Sequence, residues 1–283
     1  MAISPTDREG SQEPTTPTRI GAGSFATVFA SPGRPIAIKV AHAPDHAAQV
    51  EWEFSSLQAL HATTQNDLDA LFVVPRPLAY YDPLTQKLLE SPHPLRIRAH
   101  FYPTRTVSSS NSVPLPLPLM CRLYFGKELR PSAFVNPTNF PLDAARYDLL
   151  QGGDDDIPPK NEVAAGMGEM LALIHWHAGY DARDVEFVMA GAPDSAAVRL
   201  YVIDFNQMRA FHRDEGDVSE LVDAFCANDP YYPRPVPGEA LYDSFKRGYI
   251  GACPSETRER AALFLQAIQA RHAERHPPVS AAI

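Results

Sequence analysis

The sequence predicts an α+β protein of two lobes: a small antiparallel β-sheet with one helix, then a mainly helical half. Three observations carry this. From Arg19 to Val40 the chain is rich in β-branched and aromatic residues, broken by a glycine turn and by Pro32-Gly33. From Val163 onward the apolar residues recur at helical spacing instead. A chain of 283 residues is long enough to bury a sizeable core, as one large domain or as two lobes.

Taken in order, residues 1–17 read as a disordered tail, polar and containing Pro and Thr. Residues 18–127 form the first lobe. Ile20 leads into a glycine turn, and Phe25 to Phe29 and Ile36 to Val40 follow as strands. Pro44 and Asp45 open a helix with Asp45 as N-cap. Ala47, Val50, Phe54 and Leu57 carry it to about His61. Leu71 to Leu78 reads as a strand, and residues 91–118, rich in Pro and Ser, as a surface insertion. Leu119 to Phe125 closes this lobe as its last strand. Residues 128–283 form the helical lobe. After a loop at 152–159, Val163, Met167, Met170, Leu171, Ile174 and Ala178 mark one face of a long buried helix, with Gly179 as C-cap. Strands at Val185–Met189 and Val198–Ile203 come next, then helices around Val218–Phe225 and Glu239–Tyr249. A last helix follows Pro254, with Ser255 as N-cap.

Composition excludes several functions. A formal charge of -9 argues against nucleic acid and against anionic membranes, because both need a basic face. The three cysteines are far apart and form no C-x-x-C pair, so neither a disulfide framework nor a zinc finger is readable. No secretory signal and no run of about 18 apolar residues is present. The expectation is a soluble, cytoplasmic protein, with a nuclear location left open.

The polar residues supply, in order, the parts that phosphoryl transfer needs: a glycine-lined cover for phosphates, a lysine, acidic metal ligands and a carboxylate near the acceptor hydroxyl. The cover is the turn of Gly21, Gly23 and Ser24, whose two glycines lack a Cβ and so let backbone amides approach phosphates. Lys39 stands inside the apolar run Ile36, Ile38, Val40, where an unpaired ammonium is costly to bury. Its simple alternative is that it faces solvent by strand alternation. At about 100° per residue, Glu53 lies on one helical stripe with Leu57 and Leu60, while Glu51 points away. Glu53 is therefore the expected partner of Lys39. In the loop after the long helix, Asp181 precedes Glu186 by five residues, with Arg183 between them. Asp204 ends the strand-like run Tyr201-Val202-Ile203.

These residues resemble the protein-kinase-like superfamily across roughly residues 18–270. Gly21 to Val28 resembles G-x-G-x-x-G-x-V with Ala26 at the third glycine, and Ala37-Ile38-Lys39 matches A-I-K. Asp181 and Glu186 take the Asp and Asn positions of H-R-D-x-x-x-x-N, and Asp204-Phe205-Asn206 resembles D-F-G. Gly216-Asp217 and Phe245 to Tyr249 are similar to late segments of the aminoglycoside and choline phosphotransferases. The resemblance implies ATP and Mg²⁺ as cofactors and a small-molecule hydroxyl acceptor. Catalysis would fall to Asp181, Lys39 and Glu53, phosphate contact to Gly21, Gly23, Ser24 and Lys39, and metal binding to Asp204 and Glu186. Adenine would rest between the Ile38 strand and the segment near Leu123. The missing His-Arg pair, Glu186 for Asn and Asn206 for Gly imply the alternative of a pseudokinase, a nucleotide-binding or protein-interaction module without transfer. His175-Trp176, Asp184 to Val188, Ile203 to Asn206 and Asn228 to Pro235 are also similar to a fungal family of unknown function whose members are often labelled zinc-finger-like.

Two further segments each have two readings. His175-Trp176-His177 is better explained by core packing of Trp176 than by a metal, since residues two apart on a helix face different ways. Asn228 to Pro235 is either a rigid packed loop or a substrate-side wall. In the second reading Arg234 binds an anion and Tyr231 or Tyr232 stacks on a ring; Arg183 is a further candidate for the substrate side.

Overall fold

The computed structural model describes residues 17–30, 36–65, 70–82, 86–90, 120–130, 140–152, 157–191, 198–211, 217–228 and 230–277. The expected tail, the 91–118 insertion, the Pro32-Gly33 turn and Gly216 lie outside them, apart from Pro17 at the end of the tail. The fold is α+β, with six α-helices among the described residues.

Thr18–Ala22 (β1), Ala26–Ala30 (β2) and Ala37–Ala41 (β3) form an antiparallel sheet in that order. A 3₁₀ turn at Pro44–His46 leads into Ala47–Thr64 (α1). Asp45 sits inside that turn and makes no capping bond, so the expected N-cap is displaced to Ala43, which has no capping side chain. Ser255 likewise falls inside a 3₁₀ turn, Ser255–Thr257, ahead of the last helix.

The other strands depart from a simple division into lobes. Phe72–Val73 (β4), Met120–Tyr124 (β7), Phe140–Asp143 (β8), Glu186–Gly191 (β9) and Val198–Ile203 (β10) form one five-stranded mixed sheet. Its order is β4-β10-β9-β7-β8, so two strands assigned by sequence to the first half pair with strands of the second. The physical reason is burial. β9 is covered on both faces, and a strand so enclosed needs neighbours on both edges to satisfy its backbone groups. Ala79–Asp82 (β5) and Lys87–Glu90 (β6) make a separate hairpin.

Ala144–Gln151 (α2) is capped by Asp143, whose carboxylate accepts from Arg146 N at 2.9 Å. Lys160–Ala172 (α3) continues as a π-helical turn, Leu173–Ala178, and stops at Gly179, whose φ of 82° makes the expected left-handed cap. Ser219–Ala227 (α4), Ala240–Ala252 (α5) and Arg258–Arg275 (α6) complete the fold. α3 and α5 pack backbone to backbone. A Cβ on Gly168 would lie 2.0 Å from Phe245 O, and one on Gly248 2.0 Å from Ala165 O. The main core fills this region, with Trp176, Phe187, Tyr242, Phe245, Tyr249 and Phe264 all buried. The helical reading of His175-Trp176 as core holds. Tyr249 Oη lies 2.8 Å from His175 Nδ1 and accepts from Trp176 Nε1 at 2.9 Å, and burial drives the His175 pKa down to about 3.

Candidate functional site

β3 inverts the usual pattern of a half-buried strand. Its apolar Ile38 and Val40 are 43% and 47% exposed, while Lys39 between them turns inward toward α1. Lys39 Nζ stands 2.8 Å from Glu53 Oε1, 2.7 Å from Glu53 Oε2 and 3.1 Å from Asp204 Oδ1. The solvent-facing alternative for Lys39 is excluded, and Glu53 is its helix partner as the stripe on α1 predicts. Glu51 is exposed. Burial by itself would lower the Lys39 pKa, but Glu53 and Asp204 outweigh it and hold the ammonium above its ordinary value. The Phe25 ring covers the same ammonium at 4.7 Å.

Two contacts hold α1 against the segment that carries Asp204. Trp52 Nε1 donates to Met208 O at 2.8 Å, and the Trp52 ring meets Tyr180 edge-on. Asp204 itself has φ 66°, and Ala182 (55°) and Asp184 (62°) share this left-handed backbone. Such conformations cost energy in non-glycine residues and gather at functional sites. Asn206, two residues beyond Asp204, is buried, and its Oδ1 finds no partner among the described residues.

The glycine turn lies beside β3. Gly23 N donates to Ala26 O at 2.9 Å. Neither Gly21 nor Gly23 has a positive φ, and a Cβ on either would meet nothing within 4 Å. The fold itself therefore does not demand glycine at these two positions. Ser24 is exposed next to them.

Asp181 occupies a different environment from the one its motif position suggests. Its side chain is 1% exposed and both oxygens are engaged. Oδ1 accepts from Arg183 N at 3.1 Å and from Arg209 N at 2.9 Å, and Oδ2 accepts from Arg209 Nε at 2.7 Å. This carboxylate organises the loop, and a substrate hydroxyl has no path to it. Arg183 contributes its backbone N–H there. Asp184 is the half-buried carboxylate of the same loop. Its N–H donates to Asn228 Oδ1 at 2.6 Å, and its Oδ2 accepts from Gln207 Nε2 at 2.6 Å.

Glu186 is buried at the start of β9, with Arg122 Nη2 3.0 Å from its Oε2. Burial raises its pKa to about 7, against the pull of Arg122 and with the Asp204 charge adding to the rise. Tyr231 stacks on Tyr124 at 4.9 Å. Sequence reasoning missed Arg122, Arg209 and Asp184. The first two lacked any signal, since their partners lie far away in the chain. Asp184 was visible as the start of the Asp184 to Val188 run, which assigns it no role.

Other expected site residues are placed elsewhere. Leu123 is fully buried in the core, so it offers no surface to an adenine. Tyr231 and Tyr232 are buried, and Phe125 N and Gly126 N donate to Tyr231 O and Pro230 O, which docks this segment as a rigid loop on the end of β7. Arg234 is exposed and does not join the Lys39 constellation; its ion partner is Glu239 at 3.6 Å.

Among the described residues no group of three or more His, Cys, Asp or Glu side chains could hold a metal by itself. No helix among them is long and apolar enough to cross a membrane. No curated protein and no solved structure matches the chain. Residues 200–260, from β10 through Asp204 to α6, match a family model for a domain of unknown function described as "Zinc finger protein". The match takes in Ile203 to Asn206 and Asn228 to Pro235, and leaves out Gly21, Gly23, Lys39, Glu53, Asp181 and Glu186.

Proposed function

We propose that the chain has a bilobal protein-kinase-like fold, binds Mg-ATP beside Lys39, and transfers a phosphoryl group to a small-molecule hydroxyl. The observation that carries this reading is the simultaneous pairing of Lys39 with Glu53 and Asp204, which come from three separate elements. A lysine held inward by two carboxylates, on a strand whose apolar residues face out, is positioned by charge and not by packing. The open space at Gly21 and Gly23 agrees with a phosphate cover made of backbone amides.

Asp204 and Glu186 are the carboxylates that would hold Mg²⁺, which neutralises phosphate charge when bound. Mg²⁺ is often carried by one or two carboxylates together with substrate phosphates, so two side chains suffice. Lys39 would then orient phosphates, Glu53 would keep Lys39 in place, and Arg122 would moderate the charge of Glu186. Asp184, in place of Asp181, is the carboxylate offered to the acceptor hydroxyl. Among the described residues no cluster of His, Cys, Asp or Glu could hold zinc, so the zinc label adds no metal to this reading.

The burial of Asp181 favours a second reading, a pseudokinase that binds nucleotide or a protein partner without transfer. Thermal shift with ATP, with and without Mg²⁺, tests the site. A metal-dependent rise in Tm that Lys39→Met and Asp204→Asn both abolish is expected, and its absence in the wild type would sink the nucleotide reading. Product analysis with a panel of small alcohols then separates transferase from pseudokinase.

A further inference from the structure

A pocket of about 170 Å³ lies between the loop at 230–235, Gly126 and the last turns of α6. None of the residues around Lys39 lines it. Its ionisable walls are of one sign. Arg234 comes from the loop, His272 and Arg275 come from α6, and His276 follows as its C-cap residue. Among the described residues no carboxylate lines the pocket, and His272, His276 and Arg275 form no ion pair. Basic residues at a helix C-terminus can simply complement the helix dipole. That accounts for Arg275 and the histidines. Arg234 comes from another element into the same cavity, and its ion partner there is Glu239 at the long distance of 3.6 Å. Prolines 230, 233 and 235 stiffen the loop, and its backbone bonds to Phe125 N and Gly126 N fix it against β7. The loop backbone that carries Arg234 is therefore fixed beside a space several times the volume of one water.

We propose that this pocket binds a small oxyanion of the phosphate class, held by Arg234 and Arg275 with His272 and His276 as further donors. An Arg fork suits the planar pairs of oxygens that such anions present. The state of His272 agrees with a site in which cationic groups outweigh Glu239. Burial first, then His276 and Arg234, keep its pKa below the ordinary value, and Glu239 opposes them. The other groups near it are Cys226 on α4, and Arg271, which is paired with Asp223 at 3.2 Å. An anion would relieve the repulsion and favour protonated His272, so binding weakens as pH rises through the histidine range.

The test is calorimetric titration of the full chain with sodium sulfate at constant ionic strength, at about pH 6 and about pH 8. Sulfate keeps its charge over this interval, so any change belongs to the protein, and Glu186→Gln, which removes the other group titrating there, should leave it unaltered. Inorganic phosphate and a phosphomonoester, titrated in parallel, separate a free-ion site from one for a phosphorylated metabolite. Saturable binding is expected at the lower pH, roughly tenfold weaker at the higher. Arg234→Ala/Arg275→Ala should lose it by tenfold or more, and Glu239→Gln, which frees Arg234, should retain or tighten it. Arg234 and Arg275 are exposed and Glu239 is half-buried at the surface, so none of these changes opens the core. Absence of saturable heat with all three anions, or equal binding by the double variant, would overturn the proposal.

Discussion

The sheet β1–β3 and the helix pair α3–α5 place their side chains under opposite constraints. Between the helices, backbones touch at Gly168 and Gly248, and the surrounding aromatics leave no room for an added atom. In the sheet, Ile38 and Val40 face outward, only Phe25 and Ala26 at its turn are buried, and glycine positions border open space. The helical half owes its stability to shape. The sheet is weakly constrained by packing, so the identity of its residues answers to charge and to whatever occupies the space beside Lys39.

The sharpest way to break this contrast is to add side-chain volume to each region. Gly168→Val or Gly248→Val should cost more than about 4 kcal/mol and abolish cooperative thermal unfolding, because backbone oxygens stand where the new atoms would go. Equal tolerance in both regions would refute it. Asp181→Asn comes next, at about 2–3 kcal/mol in chemical denaturation, since it weakens a buried carboxylate serving three donors. If Asp181 is instead the catalytic base, that variant would lose transfer and keep its stability.

A pH titration sharpens the comparison further. The Glu186 pKa in the folded state, about 7, stands above its ordinary value of 4.5. The folded protein then holds a proton that the unfolded chain has lost, so this group favours folding at low pH. Its contribution fades as pH rises from about 4.5 to about 7, by no more than about 3 kcal/mol. Glu186→Gln should flatten that slope, read from denaturation midpoints across the interval. Mg²⁺-dependent nucleotide binding should strengthen over the same range in the wild type, where the carboxylate becomes charged. The smallest effect is expected of Gly23→Ala, within about 0.5 kcal/mol by thermal denaturation, with nucleotide affinity falling all the same.

What could be read in advance follows the same divide. The strand Val198–Ile203, the left-handed cap at Gly179 and the orientation of Glu53 on α1 were legible, because each depends on neighbours within a few residues. The Asp45 and Ser255 caps were misplaced, since short 3₁₀ turns precede both helices and take the residues into themselves. β8, α2 and the β5–β6 hairpin were overlooked. β8 carries Pro141 within a four-residue strand, and α2 is a short helix with a single buried residue.

By itself, then, the sequence determined the α+β class, the inward need of a lysine inside an apolar strand, and the helical face that would answer it. Tertiary structure decided the rest of the site. Lys39 and Asp204 are 165 residues apart, and Arg122, Arg209 and Asn228 reach their partners only after distant strands and loops have packed. Local periodicity reports which side of an element is buried. It says nothing of which charge will meet it there, because ion pairs are selected by the geometry of the assembled fold and by the cost of leaving a buried charge alone.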